Sequence, residues 1–151
     1  MCGSCWAFAS ASAMASYAKI NDMDHDLLEL SAQHIVRYCD QKDVFRSICN
    51  ITSCAPNPLK CGGTGGCMGS IEPLAFVYAS LFGVVTEEEY PYESQNGGFD
   101  DICRFDATQT DVSVMTMGWE TLPHNDMLAV MDHLANKGEH YRTNDLTRIS
   151  A

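Results

Sequence analysis

The chain opens M-C-G-S-C-W-A-F-A-S, with Cys2 and Cys5 three positions apart, Trp6 directly after, and an alanine-rich run beyond. A thiol is a weak nucleophile and a thiolate a strong one. A cysteine at a helix N-terminus faces unpaired backbone N–H groups and the positive end of the helix dipole, which favour the thiolate. The spacing therefore allows two chemistries. Cys5 alone is a nucleophile if a base elsewhere takes its proton. Cys2 and Cys5 together form a C-x-x-C, the pattern of thiol–disulfide exchange at a helix start. That redox motif ordinarily follows a strand, and none precedes Cys2.

The candidate bases are histidines. Helical spacing places His34 on a helix surface and His133 on a solvated face, and His140 falls in an aperiodic tail. Together with His124 these come as poor candidates for the catalytic base. The run Glu87 to Glu89 reads as a solvated turn. Cys49, Cys54 and Cys61 are spaced more widely than the paired C-x₂-C hooks of a zinc site, so they read as loop staples, and no metal site is expected. Asn50 opens N-I-T, an acceptor sequon for glycosylation.

A helix must position Cys5. Alanine dominates Cys5 to Lys19, Gly3 and Ser4 precede it, and Asn21-Asp22 ends it. Trp6, Ala9, Ala13 and Tyr17 form a stripe at helical spacing, with Trp6 and Tyr17 expected in the core. Ser31 is expected to cap a second helix, Ala32 to Tyr38. Asp40 to Gly66 carries N-P, G-G and three cysteines and reads as a stapled loop. Ser70 is expected to cap a third helix running through Leu81, with Gly83 just past its end. Glu93 to Asp101 is a polar loop. Val112, Val114, Met117 and Trp119 alternate loosely, which predicts a strand over Asp111 to Trp119. Asn125 is expected to cap a fourth helix to Lys137, with Met127, Val130, Met131 and Leu134 as its apolar face. After Gly138 no period survives, and the polar-rich tail supplies too few strands for a sheet.

The chain has 151 residues, 46% of them apolar, enough for a packed core. The net charge of −11 repels nucleic-acid phosphates, so no nucleic acid is expected as a partner. No apolar run approaches the roughly 20 residues of a membrane span, and no signal-peptide pattern is found. Eight cysteines point to an oxidising compartment.

C-G-S-C-W is the recognised signature around the nucleophile of papain and the cathepsins, so its meaning comes from the family and not from spacing. L-S-A-Q-H-I-V-R-Y-C, G-C-M-G-S, T-E-E-E-Y-P-Y and L-P-H-N-D-M-L-A-V-M follow in the same order as their counterparts. The chain resembles a papain-family cysteine peptidase over about residues 1 to 138. The resemblance implies an α+β fold: a helical left domain over 1–110, and over 111–151 only the beginning of a β-rich right domain with a divergent tail. It implies Cys5 as the nucleophile, its backbone N–H as half of an oxyanion hole, and disulfides Cys2–Cys67 and Cys39–Cys103. Cys61 also precedes a Gly-Gly pair, but Cys67 is preferred because the next helix follows it directly. Cys54 is then expected to pair with Cys61, leaving Cys49 unpaired. Gly3, Gly69, Ser70 and Ile71 are the implied substrate-binding residues. Peptide or protein substrates are the implied partners, with a propeptide or cystatin-like inhibitors beside them, no cofactor, and a lysosomal, vacuolar or secreted location.

The departures bear on activity. The family's glutamine upstream of the nucleophile has no counterpart here. Its histidine and asparagine lie well over a hundred residues downstream, and no Asn-His pair occurs in the chain. The family usually has glycine where Ser70 stands. The expectation is a fragment without peptidase activity of its own. Two alternatives are a catalytically dead, peptide-binding relative and the C-x-x-C redox module.

Overall fold

The computed structural model describes residues 2–21, 26–37, 65–94 and 112–137. Three helices pack around one core: α1 (Cys5–Asn21), α2 (Ala32–Arg37) and α3 (Glu72–Phe82). A 3₁₀ turn, Gly66–Met68, sits before α3, and α4 (Met127–Lys137) follows it.

Helix α1 buries Trp6, Ala7, Ser10, Ala11, Ala13, Met14, Ala15 and Ala18. Ala9, assigned above to the inward stripe, is exposed, and Tyr17 is half-buried. In an alanine-rich helix one face differs little from another, so packing partners choose the rotation. The small side chains of α1 meet others of their kind, Ala32 from α2 and Ala75 and Ala79 from α3, in one cluster. Between them sit Trp6, Met14, Ile35 and Phe76. The helix closes where the Asn21 amide donates to the Tyr17 carbonyl at 2.8 Å.

Helix α2 begins where Ser31 Oγ accepts the His34 backbone N–H at 3.0 Å. Its expected last residue, Tyr38, lies outside the described residues. His34 is fully buried and does not lie on the surface. Its ring finds a partner for each nitrogen: the Val85 N–H donates to Nδ1 at 3.4 Å, and the Tyr78 hydroxyl lies 3.1 Å from Nε2. Tyr78 and Tyr90 flank the ring edge-on. Burial drives the imidazole pKa down to about 4, opposed by the nearby Glu89 carboxylate.

Helix α3 is capped by Ile71 in extended conformation without a side-chain hydrogen bond, so Ser70 is not its cap. Pro73 in the first turn presets the helical φ there. Gly83 ends α3 with φ 72°, a left-handed conformation that suits glycine, and its N–H donates to the Ala79 carbonyl.

Among the described residues, the strand expected over 111–119 is reduced to one bridge. Val84 and Val114 exchange backbone hydrogen bonds of 2.8 and 3.0 Å, and Leu30 pairs with Thr86 in a second isolated bridge. At the end of the bridge where Gly83 lies, the chain is leaving α3. At the same end, Thr116 is buried and its hydroxyl donates to the Phe76 carbonyl. The boundary expected near residue 110 lies outside the described residues, as does the tail beyond Gly138.

Helix α4 is capped by Asp126, whose Oδ1 accepts the Ala129 N–H at 3.0 Å; Asn125 instead adopts a left-handed φ of 58°. Met127, Leu128, Met131 and Leu134 are exposed, whereas Val130, expected on the same apolar face as Met127, Met131 and Leu134, is half-buried. The inward residue is His133, expected above on the solvated face and found buried.

Candidate active site

Cys5 is the first residue of α1, exposed and unbridged. Two separate segments hold the backbone in front of it.

The first is 65–69. Cys2 is bridged to Cys67, with their Cα atoms 4.4 Å apart. The Gly3 N–H donates to the Cys67 carbonyl at 2.9 Å, and the Trp6 indole donates to the Gly66 carbonyl at 3.2 Å. A Cβ on Gly3 would stand 2.9 Å from that same Cys67 oxygen and 3.4 Å from the Gly69 nitrogen, so the close approach requires glycine. Gly65 and Gly69, with φ of 91° and 85°, close the segment through a Gly65 N–H to Gly69 carbonyl bond of 2.8 Å.

The second is 86–94, which approaches from the other side. The Tyr92 and Ser4 hydroxyls share a hydrogen bond of 2.6 Å, and the Tyr92 ring meets Phe8 edge-on with centroids 4.8 Å apart. The Ser4 carbonyl accepts the first helical N–H groups, from Ala7 and Phe8. Tyr92 is fixed in turn by its own N–H, which donates to Glu87 Oε1 at 2.6 Å. Glu87 is therefore more than a solvated turn residue. Burial raises its carboxyl pKa, against the hydrogen bonds it accepts from the Tyr92 and Ala32 N–H groups. The Gln33 side chain clamps the end of the segment, accepting the Glu93 and Ser94 N–H groups at 2.9 and 3.0 Å.

Of the residues singled out from sequence, Cys5, Gly3 and Gly69 come together at this helix start. Ser70 and Ile71 follow as the extended lead into α3, both half-buried. The Ser70 hydroxyl oxygen is buried without a hydrogen-bond partner among the described residues. Cys39, Cys54, Cys61, Cys103 and Asn50 lie outside the described residues, as does His140. His34 is committed to Tyr78 and Val85, His133 is buried, and His124 is exposed. Among the described residues no three His, Cys, Asp or Glu side chains are grouped to hold a metal ion. The redox alternative needs Cys2 and Cys5 to share a bond, and Cys2 is already bonded to Cys67.

Sequence reasoning missed Ser4, Phe8 and Tyr92. The Tyr-Pro-Tyr segment was visible, but nothing local says that its second tyrosine reaches 88 residues back.

The site that the structure assembles is an exposed thiol at a helix start, beside a bridged cysteine and a glycine-lined segment. The family model for papain family cysteine proteases matches residues 1–142, and the chain belongs to that family. It is 32% identical over 138 residues to the KDEL-tailed cysteine endopeptidase CEP2 of Arabidopsis thaliana, covering 90% of this chain and 30% of that protein. It is 35% identical over 116 residues to the viral cathepsin of Epiphyas postvittana nucleopolyhedrovirus, covering 76% of this chain and 27% of that one. The chain thus spans under a third of the length of these relatives. Among solved structures, digestive procathepsin L 3 of Tenebrio molitor larval midgut superposes with TM-score 0.62 at 26% identity, over 89% of this chain and 35% of that one. Bromelain from Ananas comosus in complex with the E64 inhibitor gives TM-score 0.62 at 22% identity, over 90% and 49%, a likeness of fold. The described helices are the helical part of a papain-like fold, with little strand.

Proposed function

We propose that Cys5 is the nucleophile of a cysteine-type peptidase acting on peptide or protein substrates. The observation that carries this reading is the placement of Cys5: first in α1, exposed, and unbridged beside a bridged Cys2. In the reaction, the Cys5 thiolate attacks the scissile carbonyl, the amine leaves with a proton from a histidine, and water hydrolyses the thioester. Gly69, Ser70 and Ile71 border the cleft in which an extended substrate would lie. Family membership supports the chemistry, and the Cys2–Cys67 bridge supports an oxidising compartment such as a vacuole or the cell exterior. A procathepsin among the solved structures, 26% identical, favours a propeptide as a partner.

The 151-residue chain alone is proposed not to turn over peptides. His34 is buried on Tyr78, and no Asn-His pair occurs in the sequence. Without a histidine acid the leaving amine has no proton. The test is a fluorogenic dipeptide amide with the purified chain beside Cys5→Ala, together with iodoacetamide labelling mapped by mass spectrometry. The expected result is labelling of Cys5 without turnover. Turnover abolished by Cys5→Ala would overturn the inactivity. Cys5 refractory to iodoacetamide in the folded chain would overturn its role as nucleophile.

A further inference from the structure

We infer that Tyr92 is a positioning residue for Cys5, acting through the hydroxyl of Ser4. The inference rests on the reading of Cys5 as a nucleophile. Ser4 is the residue immediately before Cys5, it is buried, and its carbonyl starts the α1 hydrogen-bond ladder. On the α3 side, the start of α1 is tied by a covalent bridge, the Gly3–Cys67 hydrogen bond and the Trp6 indole. On the opposite side, the ties found are the Tyr92–Ser4 hydrogen bond and the ring contact with Phe8. A hinge tied on one side only can still rotate. The Tyr92 hydroxyl opposes that rotation, one residue from the sulfur.

Tyr92 is suited to this. Its backbone N–H is held by Glu87, its ring is partly buried against the core, and its hydroxyl reaches Ser4 at 2.6 Å. What it fixes is the direction of the first free N–H groups of α1 relative to the Cys5 side chain. The influence of N–H groups and dipole at a helix start is local and falls off within one turn. A small rotation of the Ser4–Cys5 unit therefore reaches the thiol, while the hydrophobic core stays as it is.

The test is a double-mutant cycle on the full chain, using Tyr92→Phe, Ser4→Ala and the pair. Tyr92→Phe keeps the ring on Phe8 and removes only the hydroxyl, and Ser4→Ala removes the same bond from the other side. The reading is the rate of iodoacetamide alkylation of Cys5 from pH 4 to 9, resolved from the other cysteines by peptide mapping. Each single variant is expected to slow alkylation at pH 6 by about two- to fivefold, the span of helix-terminus effects. The rate-against-pH profile should move to higher pH, and the double variant should be no slower than either single. A merely structural bond would lower the melting temperature and leave the profile in place, which would overturn the inference, as would single effects that multiply in the pair. If wild-type Cys5 reacts no faster than it does in the urea-unfolded chain, the nucleophile reading fails. The cycle still separates the two cases, because it compares variants with each other.

Discussion

The start of α1 and the helix α4 both carry apolar side chains, and these meet opposite fates. Around α1, alanines and glycines let three helices and the 65–69 turn close on one another, and Trp6, Met14, Ile35 and Phe76 vanish from solvent. On α4, Met127, Leu128, Met131 and Leu134 stand 51–77% exposed while a histidine turns inward. Hydrophobic content alone does not make a core. Burial follows from small residues that let backbones approach and from a partner surface of matching shape. The comparison also explains where chemistry can be held: Cys5 is exposed, but the residues flanking it, Ser4 and Trp6, are buried and hydrogen-bonded.

The comparison predicts unequal responses to truncation. Phe76→Ala should cost about 3–5 kcal/mol, because Phe76 is fully buried among α1 and α3 neighbours that cannot collapse into the gap. Urea unfolding followed by circular dichroism measures it. A cost under about 1 kcal/mol would mean that the helical core is as loosely packed as α4. The paired replacement Cys2→Ser with Cys67→Ser opens a loop closed across 65 residues and should cost about 2–4 kcal/mol. The same urea curves, read for the pair against wild type, check it; an unchanged midpoint would show that the Gly3–Cys67 and Trp6–Gly66 bonds suffice.

How legible each region was follows from the same contrast. The helix at Cys5, its exit near Asn21, the Ser31 cap and the Gly83 stop were readable because each depends on residues within one turn. The rotation of α1 was not, since alanine fits either face. His34 was misread because a polar residue was assigned to solvent, when Tyr78, 44 residues on, and Val85, 51 residues on, supply its partners. On α4 the expected apolar face divides, with Val130 half-buried and Met127, Met131 and Leu134 exposed, because a stripe carries no information about what covers it. The strand at 111–119 failed because alternation needs a partner strand, and among the described residues Val84 alone pairs with it. For the site, the family signature located Cys5, and Tyr92 stayed hidden because a side-chain bond across 88 positions leaves no local trace.

The buried imidazole gives the next effect in size, and it is a pH effect. In the unfolded chain His34 titrates near its ordinary value of 6.5, and in the folded chain it does so at about 4. Between those values the unfolded state binds more protons, so stability rises with pH there and is lost as pH falls from about 6.5 towards 4. At 1.36 kcal/mol per pH unit, the loss attributable to this group at pH 4 is about 3 kcal/mol. The physical event is protonation of Nδ1, which cannot then accept the Val85 N–H. His34→Gln keeps a donor and an acceptor but does not titrate. Unfolding free energies at pH 7, 5.5 and 4 should therefore fall more shallowly for the variant than for wild type, whatever its absolute stability. Parallel profiles would show that groups other than His34 govern the loss in acid; the raised Glu87 carboxyl works in the opposite sense, because it takes up its proton more readily in the folded chain.

The smallest effect is expected on α4. Leu134 is 51% exposed, so truncating it removes little area from a buried environment. Alanine is also the better helix former, which offsets part of whatever packing the leucine supplies within α4 itself. Leu134→Ala should thus change stability by no more than about 0.5 kcal/mol, the range of ordinary surface substitutions. The measurement is urea unfolding of both proteins at two concentrations tenfold apart. Identical midpoints would keep the contrast with Phe76 as drawn: one region whose apolar groups hold it together, another whose apolar groups do not. A loss above about 1.5 kcal/mol would break it, and its concentration dependence would say how. If the loss appears at high concentration only, α4 is covered by another copy of the chain. If it appears at both, α4 packs within the molecule, and its side chains are more buried than the exposures above.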